Sequence, residues 1–210
     1  MTVNTSSASA RAEARTTGSA DAVASTVPAG REPDPLIDIA QRLLKEIGED
    51  PERDGLRDTP DRFARWWREF IDYQPGTTDT LFEATTTSQM VVVSDIMVWS
   101  LCEHHLLPFN CSITIAYRPE QTLLGLSKFA RVAHRHAHRL QVQERLVADI
   151  AQEISDTTRA ADVAVIAKGE HLCMTMRGIK AGALMTSTAF LGKFGEDSAL
   201  RAELMALLQR

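Results

Sequence analysis

Positive charge is not in excess, tyrosine is nearly absent, and no apolar run is long enough to cross a bilayer. The 210 residues carry 23 lysines and arginines against 28 acids, for a formal net charge of −5 and a sequence pI near 5.7. That balance excludes nucleic-acid binding through a general basic surface, and an anionic small molecule would need a local positive site. The longest apolar stretches are broken by charges within a few positions, short of the ~18 residues of a membrane span. The N-terminus has no apolar segment of the secretory kind. Cysteine is scarce: Cys102, Cys111 and Cys173 form an odd set of three. They exclude a disulfide framework and leave metal binding or packing in a reducing compartment. With 44% hydrophobic and 24% charged residues, wholesale disorder and fibrous classes are excluded as well. The expectation is a cytoplasmic protein, with no membrane or nucleic-acid partner, built around one core domain of about 150–200 residues.

Residues 1–34 are rich in Ala, Ser, Thr and Gly and run into Pro33, Asp34 and Pro35. Lacking apolar periodicity, they read as a disordered N-terminal tail ahead of a folded region, 35–210, whose first part (about 35–75) is helical. Arg11 and Arg15 suggest a transit peptide as the rival reading, and Glu13 and Asp21 count against it. Leu36, Ile39, Leu43 and Ile47 form one helical stripe. Thr59–Pro60 pairs an N-cap residue with proline at the first helical position, and Phe63, Trp66, Trp67 and Phe70 follow at helical spacing as an expected core stripe. Met90–Val93, Ile96–Trp99 and Cys111–Tyr117 carry strand patterns. Two helices are expected over about 126–139 and 142–155, two more strands over Val163–Arg177 and Ala183–Phe190, and a short helix from about Ser198. Strand pair, helix pair, strand pair predicts an α+β fold with an antiparallel sheet and two helices on one face.

Chemistry concentrates in four places. In Cys102-Glu103-His104-His105, a cysteine and a histidine three apart can reach one zinc ion from a turn or strand end. A packed, hydrogen-bonded structural feature is the competing account of such a histidine pair. In His171-Leu172-Cys173-Met174-Thr175-Met176-Arg177, strand alternation would put His171, Cys173, Thr175 and Arg177 on one face, as the wall of a site. Cys173 then completes a Cys102–His105–Cys173 set, whose three protein ligands leave a fourth zinc position for water, the pattern of catalytic sites. Cys111 competes for the third place, although its strand parity puts it with Ile113 and Ile115 in a core. His104 and His171 remain as acid/base candidates.

The third place is Ser127-Lys128 with Arg131 and Arg135, a basic stripe at the start of a helix. It suits a polyphosphate, and Arg177 could add a planar fork, while a solvated charged face is the plainer account. The fourth is Gln143-Glu144, where a carboxylate could accept two parallel N–H bonds from a guanine edge.

These clusters, in this order, resemble GTP cyclohydrolase I. The matching stretches are DPERDGLRDTPDRFA at 50–64, SLCEHHLLPF at 100–109, GLSKFAR at 125–131, RLQVQERL at 139–146 and HLCMTMRGI at 171–179. The resemblance implies the T-fold and a homodecamer with active sites at subunit interfaces. It implies Cys102, His105 and Cys173 as ligands of Zn2+ and His104 and His171 as catalytic histidines. Glu144, helped by Gln143, would anchor guanine, and Ser127, Lys128, Arg131 and Arg177 would bind the triphosphate. The implied reaction is hydrolysis of GTP at purine C8, releasing formate and forming 7,8-dihydroneopterin triphosphate. Folate, reduced-pterin and 7-deazapurine pathways all begin there.

Ser94, Asn110, Cys111, Ser112, His134 and His136 depart from the family's usual residues, outside the catalytic set. The alternatives are another T-fold purine or pterin enzyme, a nucleotide-binding paralogue without turnover, and a structural zinc protein. The last would want a fourth ligand, for which Cys111 is the only spare thiol.

Overall fold

Phe109, Cys111, Ile113 and Ile115 are buried, and Asn110, Ser112 and Thr114 between them are only partly so. That alternation places the middle of a sheet against one apolar layer. A computed structural model describes residues 32–85 and 89–209, so the expected tail falls almost wholly outside the described residues. The elements run α1 (Pro35–Glu46), α2 (Thr59–Ile71), β1 (Leu81–Glu83), β2 (Val91–Cys102), β3 (Pro108–Tyr117), β4 (Thr122–Leu124), α3 (Leu126–Ala137), β5 (Leu140–Gln141), α4 (Gln143–Thr158), β6 (Val163–His171), α5 (Leu172–Thr175), β7 (Leu184–Leu191), α6 (Lys193–Glu196) and α7 (Ser198–Leu207).

The main sheet has the order β5-β2-β3-β6-β7. β2, β3, β6 and β7 pair antiparallel in sequence, and the two-residue β5 runs parallel to β2. β1 and β4 form a separate antiparallel pair. The helices α3 and α4 cover one face, as expected of this α+β fold. On α4, Leu146, Val147, Ile150, Ala151 and Ile154 form a stripe that meets Ile113, Ile115, Val163 and Val165 in the main core. Each large aliphatic side chain in that layer contributes roughly 1.5–3 kcal/mol by leaving water. Ala116 and Ala164 point the other way and pack with Phe194 and Leu204. The short α6 and α7 therefore close one corner of the opposite face, which the sequence did not assign.

Two expected strands, Met90–Val93 and Ile96–Trp99, are one. Val93 pairs with Ile115 and Ile96 with Ile113, so Ser94 and Asp95 share a single opposing residue. Asp95 takes φ +59 and accepts a bond from Ser112 Oγ at 3.2 Å. This is a β-bulge, and it produces the break in the apolar pattern. A second correction concerns Val163–Arg177. The strand stops at His171, and Leu172–Thr175 winds into a single helical turn. The N-cap of α2 is Asp58 rather than Thr59, with no side-chain capping bond.

The aromatic stripe of α2 is core only at one end. Phe70 is buried, Phe63 and Trp67 are half-buried, and Trp66 is 41% exposed. Trp66 packs mainly on its own helix, with ring centroids 4.9 Å from Trp67 and 6.2 Å from Phe70. Ile39 and Leu43 on α1, with Ile47 just after it, are all about half exposed or more, leaving an apolar stripe open to water.

Phe70 and Tyr73 join this helical pair to the end of α3. His138 stacks on Phe70 and on Tyr73, at 4.8 and 4.0 Å, and its Nδ1 lies 3.0 Å from the Phe70 carbonyl oxygen. His134 lies alongside, 5.8 Å from Tyr73, with Nδ1 buried and unpartnered among the described residues. Burial first, and the neighbouring His138 second, hold His134 below the ordinary histidine range. The folded state thus favours neutral His134, and the unfolded chain binds that proton more readily. The corresponding stability is present above about pH 6.5 and is lost as pH falls through the depressed folded value. Replacing His134 by phenylalanine is expected to shrink the fall in Tm between pH 7 and pH 5. An unchanged fall in paired melting curves would remove His134 from that role.

Candidate metal centre and active site

β2 ends at Cys102, β3 begins at Pro108, and the intervening turn carries Glu103, His104 and His105. The turn is closed by main-chain bonds from His105 N and Leu106 N to Cys102 O, with Leu106 at φ +56. β6 lies beside β3, with His171 opposite Phe109. The helical turn after His171 then swings Cys173 over the β2 end. Side-chain ligand atoms of Cys102, His105 and Cys173 lie within 4.8 Å of one another. The expected trio converges, but through a strand end and a turn rather than through strand alternation.

Cys102 is buried, Cys173 half-buried and His105 exposed, so the cluster opens to solvent on the histidine side. Burial first, and the adjacent Cys102 second, push the Cys173 thiol up. Two thiols crowded together resist losing protons unless a cation sits between them, and a Cys2His donor set suits zinc. Cys111 takes no part. It is fully buried, its thiol is pushed up to about 12 by burial, and it lies 3.4 Å from Gln143 Oε1.

His104 is exposed, with Nδ1 3.8 Å from Cys102 Sγ. His171 is half-buried, and its ring stacks on Phe109 at 4.5 Å and 7°. Burial lowers its affinity for a proton, and the charge of nearby Glu144 partly offsets this. Arg177 Nη1 donates to His105 Nε2 at 2.6 Å. Glu144 is exposed on the first turn of α4.

Gln143 needs a correction. It is fully buried, and its amide is used inside the fold rather than offered to a ligand. Nε2 donates to the Ala167 and Met185 carbonyls, and Oε1 faces His171.

Sequence reasoning also missed Glu103 and Arg145. Arg145 grips Glu103 with two bonds, at 2.7 and 3.1 Å, and that contact holds the Glu103 carboxyl below its usual range. Arg145 also donates to Gln141 Oε1, and Glu103 N donates to the Gln141 carbonyl. The ligand turn is thereby tied to the start of α4. No local pattern pairs residues 42 positions apart, so only the fold reveals this tie.

Ser127, Lys128 and Arg131 are not brought to the cluster in this chain. α3 begins beside the far end of β3, where Tyr117 meets Phe129 and the Tyr117 hydroxyl accepts from Leu124 N. Phe109, by contrast, marks the metal end. The strand between them spans roughly 26 Å at ~3.3 Å per residue. Lys128 is buried and donates to the Thr77 carbonyl, as does Arg131. Arg135 pairs with Glu153 and with the Gly76 carbonyl, and Ser127 is exposed.

The sequence model of the family described as GTP cyclohydrolase I matches residues 37–209. "GTP cyclohydrolase 1" of Hyperthermus butylicus is 44% identical over 175 residues, which cover 82% of this chain and 90% of that one. The protein of the same name from Sulfurihydrogenibium sp. is 45% identical over 174 residues, covering 82% and 93%. That of Deinococcus radiodurans is 40% identical over 191 residues, covering 87% of each. Among solved structures, an archaeosine synthase QueF-Like protein in the apo form aligns with a TM-score of 0.40 at 15% identity. That alignment covers 51% of this chain and 97% of the other.

Proposed function

Because the chain belongs to the GTP cyclohydrolase I family, we propose that it hydrolyses GTP at purine C8, releasing formate and forming 7,8-dihydroneopterin triphosphate. The observation that carries this reading is the Cys102–His105–Cys173 cluster with His104 and His171 flanking it. The donor set fits zinc, with iron or manganese as weaker competitors. Zinc bound there acts as a Lewis acid and lowers the pKa of a bound water to about 7.

The chain's own residues do the rest. His171 takes a proton from the attacking water and passes it to the ring nitrogen beside C8 as the imidazole ring opens. His104 is open to solvent and moves protons at the sugar while its carbons rearrange and close onto the base. Glu144 accepts the paired N–H groups of the guanine edge. Arg177 beside His105, with Ser127, Lys128 and Arg131, holds the triphosphate.

Those last three residues lie at the far end of the sheet from the cluster, so a complete site takes them from a neighbouring copy. The exposed stripe Ile39, Leu43 and Ile47 gives such copies apolar surface to bury. A homodecamer with the T-fold and interfacial sites accommodates both features. Among the described residues no helix is long and apolar enough to cross a membrane, and we place the enzyme in the cytoplasm, with residues 1–34 as a tail outside the catalytic unit.

The test is formate release from GTP by purified protein, followed by fluorescence of the oxidised pterin. Release is expected to stop with a zinc chelator and return with zinc. His171→Ala is expected to lower turnover by about 10²–10⁴ while metal stays bound, the range typical of a lost acid/base group. No formate from a folded, metal-loaded protein would overturn the reading.

A further inference from the structure

Building on the proposed role of His171, we infer that Gln143 is a positioning residue that fixes the tautomer of His171, so that Nδ1 is the atom that handles the proton.

Gln143 is fully buried and cannot draw on water for partners. On one side it meets two main-chain carbonyls, Ala167 O and Met185 O, each 3.1 Å away. Carbonyl oxygens only accept, so the NH2 group must lie on that side. Oε1 is thereby turned to the other side, where His171 Nε2 lies 2.9 Å away. An amide oxygen only accepts, so His171 Nε2 must carry hydrogen. In the neutral ring, Nδ1 is then left with the free lone pair.

Three further features support this pairing. Cys111 Sγ donates to the same Oε1 at 3.4 Å, and its thiol holds its proton against any ordinary pH. Phe109 lies flat on the His171 ring, 4.5 Å between centroids and 7° apart in plane, which limits the ring to one plane. Gly169 stands where any side chain would collide with the amide: a Cβ there would lie 2.7 Å from Gln143 Oε1. The strand next to Gln143 thus carries the one residue type that leaves room for its oxygen. A flipped amide would set NH2 against His171 and leave both buried carbonyls facing an oxygen, an arrangement buried polar groups avoid.

A histidine free to choose would divide between two neutral tautomers, only one of which presents a lone pair at the productive atom. Outer partners that orient a working imidazole typically carry a 10–100-fold effect when removed.

The test is 15N NMR of histidine-labelled, zinc-loaded protein, with His171 assigned by its absence from the His171→Ala spectrum. In the native protein His171 is expected to show a protonated Nε2 and an unprotonated Nδ1. The opposite tautomer overturns the inference, and this result needs no variant of Gln143 to fold. Gln143→Met keeps the length but removes the acceptor. It is expected to give a mixed tautomer and a 10–100-fold lower kcat, with KM little changed and metal retained. A mixed native tautomer, or a Gln143→Met protein with the native tautomer and native kcat, also overturns it. Formate release by His171→Ala at the native rate would instead sink the catalytic role of His171, whatever its tautomer.

Discussion

Cys173→Ser protein is expected to lose bound metal and formate release together, while keeping its fold. Cys173 is half-buried on a short turn at the end of β6 and is only a peripheral member of the core, so its loss costs little packing. Its sulfur is instead one of three ligand atoms within 4.8 Å of each other. Removing a thiolate leaves two protein ligands, below the three that catalytic zinc sites use. Lewis-acid stabilisation is worth several kcal/mol, and at 1.36 kcal/mol per tenfold its loss lowers the rate by roughly a thousandfold or more. Metal analysis and a formate assay on the same sample check both halves. Full zinc content at full rate would show that another side chain completes the ligand set.

Gly169→Ala is the second large expected effect, and it acts through the sheet. The added Cβ would lie 2.6 Å from the Asn110 carbonyl oxygen, 2.6 Å from Cys111 Sγ and 2.7 Å from Gln143 Oε1. The first of these is backbone in the β3–β6 ladder, where Cys111 faces Gly169. Only by displacing the strands can it move aside. Overpacking of this kind typically costs about 1–3 kcal/mol, which for a chain of this size lowers Tm by roughly 2–12 °C. Turnover is expected to fall further than the folded fraction does, because the displaced amide is the partner of His171. A melting curve within about 1 °C of native, at native kcat, would mean that the strands part easily there.

Spacing points to Cys102 and His105 as a pair, because a turn keeps residues three apart within reach of one ion, and the fold does bring their ligand atoms together with that of Cys173. Cys173 was found for the wrong physical reason. Alternation along a strand to Arg177 would have aligned it with His171 and Thr175, whereas the strand ends at His171 and a helical turn delivers the sulfur. Local sequence did not reveal that ending, since Leu172, Met174 and Met176 fit a strand's buried row equally well. Cys111 was legible as core because its neighbours Ile113 and Ile115 share its parity and are equally buried.

Gln143 was misjudged for a different reason. A glutamine beside a glutamate at a helix start looks like surface, and only tertiary packing reveals that residue 143 points into the sheet while residue 144 points out. The stripe of α2 illustrates the converse. Helical spacing of Phe63, Trp66 and Phe70 correctly indicated one face, but spacing does not state what covers that face. In this chain Trp66 remains 41% exposed.

The first turn of α4 has a mechanical consequence. Arg145 holds the ligand turn through Glu103, Gln143 holds His171, and Glu144 stands between them on the same turn. When α4 shifts against the sheet, the turn bearing Cys102 and His105, the His171 ring and Glu144 are drawn along with it. The relative placement of these side chains is therefore referenced to one helix end.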